Sequence, residues 1–223
     1  MKIILLGASG MVGQGVLIEC LRDPRVERVL SLGRTASGRQ DAKLQELIHA
    51  DLYDLSAVED RLREYDACFY CLGVSSVGMA EAEYARITYD MTLAVADALA
   101  RLNPGMTFIY VSGANTDSSE QGRSMWARVK GRTENALLRL PFKAVYLFRP
   151  GGIQPLHGVQ PKVGWIRAVY TLTAPLLSLA TRHAPGAMTT SERVGLAMIN
   201  ATARGTPSRI LESRDINNEA RPD

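Results

Sequence analysis

The chain has 223 residues, 46% hydrophobic and 22% charged, a balance that belongs to folded globular chains and excludes a disordered one. The 26 Lys and Arg against 23 Asp and Glu leave a net charge of +3, too mild to announce a nucleic-acid binder. No uninterrupted apolar run approaches the ~18 residues of a membrane span, and three cysteines, Cys20, Cys68 and Cys71, cannot build a disulfide framework.

Lys2–Leu6 is a continuous β-rich apolar run and predicts a strand buried on both faces. Gly7–Gly13 turns into a helix from about Met11 to Leu21, which Asp23-Pro24 ends. Val26–Leu32 predicts a second strand and Leu44–Ala50 a weaker third, followed by a helix over Ser56–Arg63. Ala67–Leu72 is the fourth strand. A long helix over Ala80–Leu102 stops at Asn103-Pro104-Gly105. Met106–Val111, a helix over Gln121–Leu140 and a strand over Lys143–Phe148 complete the alternation. Strands separated by helices predict parallel pairing through right-handed crossovers, hence a Rossmann-type, doubly wound α/β sheet.

After Arg149-Pro150 the rhythm changes. Gly151–Gly164 holds four glycines and two prolines and predicts a loop. Val163–Ala180 is apolar with one charge, Arg167. Trp165, Val169, Leu172, Leu176 and Leu179 share one helix face, with a kink at Pro175. Such a helix packs on the core, or meets a membrane surface or a second copy. Trp165 and Tyr170, with Lys162, Arg167 and Arg182, suit an anionic interface. Ser191–Ala203 predicts a helix capped by Ser191, and the last dozen residues a polar, fraying end. The expected organisation is one domain, with a core over about 1–150. A small C-terminal lobe over about 151–223 would stand on the substrate side, at the carboxyl edge of the sheet.

Charge is unevenly placed. Residues 121–190 carry ten basic side chains and one acid, Glu134, leaving 16 basic against 22 acidic elsewhere. Such a stretch is either a solvated basic face or a surface that meets phosphates.

The strongest motif is Gly7-Ala8-Ser9-Gly10-Met11-Val12-Gly13, a G-x-x-G-x-x-G that follows the first strand and opens the first helix. Gly7 permits the tight turn. Gly10 lets backbone amides approach a pyrophosphate, and Gly13 lets helix and strand pack closely. The helix N-terminus then offers unpaired N–H donors to the anion. About 20 residues on, where an acid would bind the ribose hydroxyls of NAD, the chain reads Ser31-Leu32-Gly33-Arg34-Thr35. Arg34 suits a 2′-phosphate through a bidentate contact, so NADP is expected over NAD; the alternative is a surface arginine. Asp51-Leu52 would put a carboxylate and a hydrophobe beside the adenine, although Asp51 also suits a loop or a cap.

With these residues the sequence resembles the short-chain dehydrogenase/reductase superfamily over roughly 1–155. The likeness is to its extended and atypical branches, which hold NAD-dependent epimerase/dehydratases and Tat-interacting-protein-like oxidoreductases. The resemblance implies a catalytic Ser, Tyr and Lys after the fifth strand and in the next helix. Ser112 ends Phe108-Ile109-Tyr110-Val111-Ser112 and matches. Trp126-Ala127-Arg128-Val129-Lys130 stands where Y-x-x-x-K is expected, so Lys130 matches, which by the resemblance implies that it binds the nicotinamide ribose, and Trp126 replaces the tyrosine. An indole N–H is a donor only; it polarises a carbonyl but does not act as acid and base. The resemblance also implies that Cys71, Leu72 and Gly73 line the cofactor at the fourth strand's exit. Pro150 and Gly151, in Phe148-Arg149-Pro150-Gly151-Gly152-Ile153, would border the nicotinamide.

The expected function is therefore that of an NADP(H)-binding epimerase- or oxidoreductase-like protein acting on an unidentified small molecule. If it reduces a carbonyl, water or an unusual tyrosine would supply the proton, with Tyr110, Tyr84, Tyr89 and also His157 near enough to consider. The alternative is a cofactor-sensing interaction protein. Cys68 and Cys71 form C-x-x-C on a strand, where residues three apart face opposite ways, so no metal site is expected. Neither a G-x-S-x-G elbow nor a triphosphate P-loop is present. No partner nucleic acid is expected. The cysteine usage and the short apolar start, unlike a signal peptide, predict a cytoplasmic setting.

Overall fold

Residues 1–156 and 186–221 are described by the computed structural model; His157 and the expected helix over Val163–Ala180, with its membrane or oligomer contact, lie outside them. In chain order come β1 (Lys2–Leu6), α1 (Met11–Arg22), β2 (Arg28–Gly33), β3 (Leu44–Ile48), a 3-10 turn (Ser56–Leu62) and β4 (Ala67–Tyr70). Next are α2 (Glu81–Ala85), a π turn (Arg86–Asp90), α3 (Met91–Leu102), β5 (Thr107–Val111), α4 (Met125–Leu137) and β6 (Ala144–Arg149). The remainder forms β7 (Gly152–Gln154), β8 (Met188–Thr190), α5 (Ser191–Arg204), β9 (Ile210–Glu212) and α6 (Ser213–Glu219).

Seven strands pair in the order β3-β2-β1-β4-β5-β6-β9, and every pair is parallel. Both faces are covered, which is why β1 reads as an unbroken apolar run. Ile3 and Leu5 pack in one buried cluster with Val16, Leu17 and Val194 from the α1 and α5 side. Ile4 and Leu6 pack in the other, with Val95 and Leu99 of α3 and Leu137 of α4. Each such side chain contributes roughly 1.5–3 kcal/mol by leaving water. The strand order reverses between β1 and β4, and a doubly wound sheet opens its ligand crevice at that reversal. This is the Rossmann-type fold expected from the sequence.

Four local expectations are corrected. The long helix over Ala80–Leu102 is interrupted by the π turn, which splits it into α2 and α3. Within Gly151–Gly164, residues Gly152–Gln154 form β7 and pair with β8. The cap of α5 is Thr190, whose hydroxyl accepts from the Arg193 amide at 3.1 Å; Ser191 instead takes the Leu156 amide at 3.1 Å.

The polar end is ordered, the fourth correction. β9 becomes the seventh strand of the main sheet, and a reciprocal Glu212–Asp215 capping box opens α6. The Asn217 amide accepts from the Thr189 hydroxyl and donates to the Met188 carbonyl, both at 2.8 Å. Polar composition suggested fraying; these bonds, made by tertiary partners, oppose it.

The chain after residue 150 also steadies the site. α5 crosses α1 so closely that a Cβ on Gly15 would lie 2.4 Å from the Ser191 Cβ. That contact fixes the axis of the helix whose N-terminus faces the crevice.

Candidate functional site

The glycine turn is set by sterics. Gly7 has φ +83°, and a Cβ there would lie 2.7 Å from the Cys71 carbonyl. A Cβ on Gly13 would lie 2.0 Å from the Gly7 oxygen. Any side chain at either position would displace backbone. Gly10 also closes the turn: its own amide donates to the Gly7 carbonyl at 2.8 Å. The N–H groups of Met11, Val12 and Gly13 are then the first-turn donors that a helix leaves without an intrahelical acceptor. That first turn contains no acid. Gln14 ties the turn down through a 3.1 Å bond from its amide to the Ser9 carbonyl.

Above this turn lies a cavity of about 320 Å³, lined by Gly7, Ala8 and Ser9 on one side and by Ser31 through Thr35 on the other. The Thr35 and Ser9 hydroxyls lie 3.5 Å apart across it. A second cavity, of about 250 Å³, adjoins it and shares Arg34, Leu52 and Leu72. The second runs past Gly73 and Val74 and ends at Tyr70, Tyr110 and Lys130. Its helical wall comes from the π turn and α3, through Ile87, Thr88, Met91 and Thr92. At its mouth Tyr53 is pinned: its hydroxyl donates to the Arg86 carbonyl at 3.1 Å, and the Arg86 guanidinium lies 5.7 Å from its ring centre.

Lys130 and Trp126 each approach the end of β5, and of Ser112, Trp126 and Lys130 it is Lys130 that lines a described cavity. Lys130 Nζ sits 5.4 Å from the centre of the Tyr110 ring. The Trp126 ring approaches Gly113 to about van der Waals distance, 4.0 Å from where a Cβ would stand. Ser112 lies between those two contact points. Its hydroxyl shares a 2.9 Å hydrogen bond with Thr116, and its amide donates to the Phe148 carbonyl at 2.7 Å.

Burial sets the protonation of the groups around the crevice. Lys130, half-buried beside Tyr110, is lowered by desolvation to about 8, with Glu134 as the opposing influence. Burial pushes the Tyr110 and Tyr70 phenols well up, although the Thr92 hydroxyl on Tyr70 works the other way. The Cys20, Cys68 and Cys71 thiols are likewise pushed up by burial. Thiols held protonated are poor nucleophiles. Cys68 packs in one cluster and Cys71 against the other, on opposite faces as the strand spacing requires. Tyr84 is buried and Tyr89 lies 4.1 Å beneath the Arg132 guanidinium; neither lines the second cavity.

Not every expected site residue faces the crevice. Leu52, Leu72 and Gly73 do; Asp51 lines neither cavity, and its carboxylate accepts from the Tyr53 amide at 2.9 Å. Cys71 takes part through its backbone, which underlies Gly7. Pro150 and Gly151 are placed by backbone bonds: the Pro150 carbonyl accepts from Ala114 at 2.9 Å, and the Gly151 amide donates to the Ser213 hydroxyl at 2.8 Å. Sequence reasoning missed Thr88 on the π turn and Thr92 on α3, which line the second cavity and which no local motif marks. Tyr70 could have been found, since it is the strand neighbour of Tyr110.

A parallel sheet with a glycine turn at its switch point defines a dinucleotide-fold protein. The profile of the NAD dependent epimerase/dehydratase family matches residues 3–124, and the chain belongs to that family. Protein fmp52, mitochondrial, of Emericella nidulans is 26% identical over 157 residues, 67% of this chain and 66% of its own length. Protein HTATIP2 of Rattus norvegicus is 25% identical over 153 residues, 67% of this chain and 62% of its own. The chain thus spans just under two thirds of these relatives. Among solved structures, the Bordetella bronchiseptica enzyme WbmF in complex with NAD+ and UDP superposes with a TM-score of 0.68 at 15% identity, covering 98% of this chain and 76% of that one. The resemblance to extended and atypical short-chain dehydrogenase/reductases therefore stands. The cytoplasmic setting does not: several relatives carry mitochondrial names, so few cysteines and a short apolar start are no guide to compartment here. Among the described residues no helix is long and apolar enough to cross a membrane.

Proposed function

We propose that the chain binds NADP(H) and works as an oxidoreductase of its family on a small carbonyl compound, with Trp126 in the position of the family's tyrosine. The observation that carries this reading is the continuous pair of cavities, which leads from the bare glycine turn past Arg34 to Lys130. The residues fit a dinucleotide. Gly7 and Gly13 keep the turn free of side chains, and the first-turn amides of α1 suit a diphosphate. Leu52 and Leu72 offer flat apolar contact. Arg34, with the Ser9 and Thr35 hydroxyls, supplies a cation and two donors for a 2′-phosphate.

When bound, the reduced nicotinamide supplies a hydride. Everything else falls to the chain. The Trp126 indole N–H orients a carbonyl oxygen by donating to it, joined by Ser112 once its hydroxyl turns from Thr116. The buried phenols of Tyr70 and Tyr110 stay protonated throughout. Among the described residues that line the second cavity, Lys130, over the Tyr110 ring, is the group brought near neutrality, which suits acid–base work, so Lys130 carries the proton. Calorimetric titration with NADPH and NADH tests the reading. Wild type is expected to prefer NADPH, and Arg34→Ala to lose that preference by about 10–100-fold through the missing charge-assisted bonds. Equal affinity for both nucleotides in the wild type would contradict it.

Trp126 favours a second reading, in which the chain senses the cofactor and presents a changed surface to a partner. Turnover of bound NADPH with a panel of carbonyl compounds separates the two.

A further inference from the structure

The one acid in the basic stretch 121–190 is spoken for. Glu134 is 1% exposed, and a buried carboxylate needs a cation. Two compete for it. Lys130 precedes it by four residues on α4, a spacing at which helix side chains meet. Arg149, at the end of β6, reaches it from the sheet. Arg149 prevails: its Nε donates to Oε1 at 3.0 Å and to Oε2 at 3.2 Å, and its Nη2 donates to Oε2. The same Nη2 donates to the Ser118 hydroxyl at 2.6 Å, and Nη1 lies 3.8 Å from a Glu212 oxygen. A planar fork grips a carboxylate in a way an ammonium does not.

We infer that Arg149 is a positioning residue for Lys130. By holding Glu134 it withholds the counterion that Lys130 would take, and so leaves the ammonium on the Tyr110 ring, able to release its proton. This rests on Lys130 as the proton carrier of the proposed function. The groups that face Lys130 agree with it. β5 presents Tyr110 and β4 presents Tyr70; the π turn and α3 present no charge; across the cavity stand Tyr53 and a second cation, Arg34. Among the described residues, Glu134 is the one carboxylate acting on Lys130. In the step itself, Nζ gives a proton to a carbonyl oxygen as its carbon takes the hydride of the reduced nicotinamide. The C=O becomes CH–OH, the ammonium becomes a neutral amine, and water restores its proton.

Trace labelling with acetic anhydride between pH 6 and 11, read by peptide mass spectrometry on the full chain, tests the inference, with exposed Lys143 as internal reference. Wild-type Lys130 is expected to gain reactivity with a midpoint near 8. Arg149→Met frees Glu134 to pair with Lys130 and should cut labelling at pH 8 about tenfold. Glu134→Gln removes the opposing carboxylate and should raise labelling at pH 7. Opposite shifts are not what a purely structural role would give, and Arg149→Lys, whose ammonium cannot fork both oxygens of Glu134, should fall between wild type and Arg149→Met. A wild-type midpoint above pH 10, or variants that shift together or not at all, would overturn the inference. If Arg149→Met does not fold, the wild-type midpoint and Glu134→Gln decide. NADPH binding measured on the same samples keeps the two readings apart. Shifts without nucleotide binding sink the cofactor reading alone, and binding with an unshifted Lys130 sinks this one alone.

Discussion

The glycine turn and the α4–β5 face sit at the carboxyl edge of the same sheet, yet they are specified in different ways. At the turn, backbone meets backbone: Gly13 approaches the Gly7 carbonyl so closely that a Cβ would stand at 2.0 Å. No other residue type fits, so the function is written in which residues are missing side chains. At the α4–β5 face, side chains decide. Lys130 keeps its place over Tyr110, but its chemistry depends on Arg149 and Glu134, which lie on different elements. Geometry set by backbone survives most changes around it; protonation set by neighbours does not.

The contrast is sharpest at the turn itself. Gly13→Val should destabilise the fold by about 3 kcal/mol or more through forced overpacking and abolish nucleotide uptake, as urea denaturation and calorimetry would show. Gly10→Ala puts its Cβ at 3.3 Å from the Gly7 oxygen and should cost under about 1 kcal/mol. Equal losses for the two would break the claim that sterics rank these glycines.

Trp126→Tyr probes the other region. If Ser112 and Lys130 are otherwise assembled, restoring a phenol should raise turnover by about 10²-fold or more. An unchanged rate beside unchanged NADPH affinity would mean that the face is not organised for that chemistry.

A smaller effect concerns stability and pH. Lys130 is lowered by burial from 10.5 to about 8. Between those values the folded chain binds fewer protons than the unfolded one, so stability should rise with pH across that window. Below pH 8 the burial penalty is present in full. Its ceiling is about 3 kcal/mol, and the half-buried amine makes about 1–2 kcal/mol the expected gain. Lys130→Met should flatten that rise, read as thermal midpoints from pH 7 to 10.5. The smallest effect is expected at Asp51, whose carboxylate holds a loop amide. Asp51→Ala should leave nucleotide affinity within about twofold and stability within about 1 kcal/mol.

Much of the architecture could be read in advance because both sheet faces are buried and the strands are short apolar runs. Lys2–Leu6 and the glycine turn were readable to the residue and the helix after it to within one, while Ser112 and Lys130 were singled out through the family resemblance. What escaped was tertiary. The π turn at Arg86–Asp90 leaves no periodic trace, so Thr88 and Thr92 were missed. The end around Ser213–Glu219 looked loose because its polar side chains are satisfied by distant partners. Glu134 stood out as a lone acid, but nothing local named Arg149 as its holder.

Hydrogen exchange at the amides of residues 8–13, with and without saturating NADPH, tests the diphosphate-gripping turn most directly. Bound nucleotide should slow exchange at Met11, Val12 and Gly13 while leaving the middle of α1 unchanged. A folded sample that takes up no nicotinamide nucleotide, or one that binds it while those amides exchange as before, would contradict the assignment.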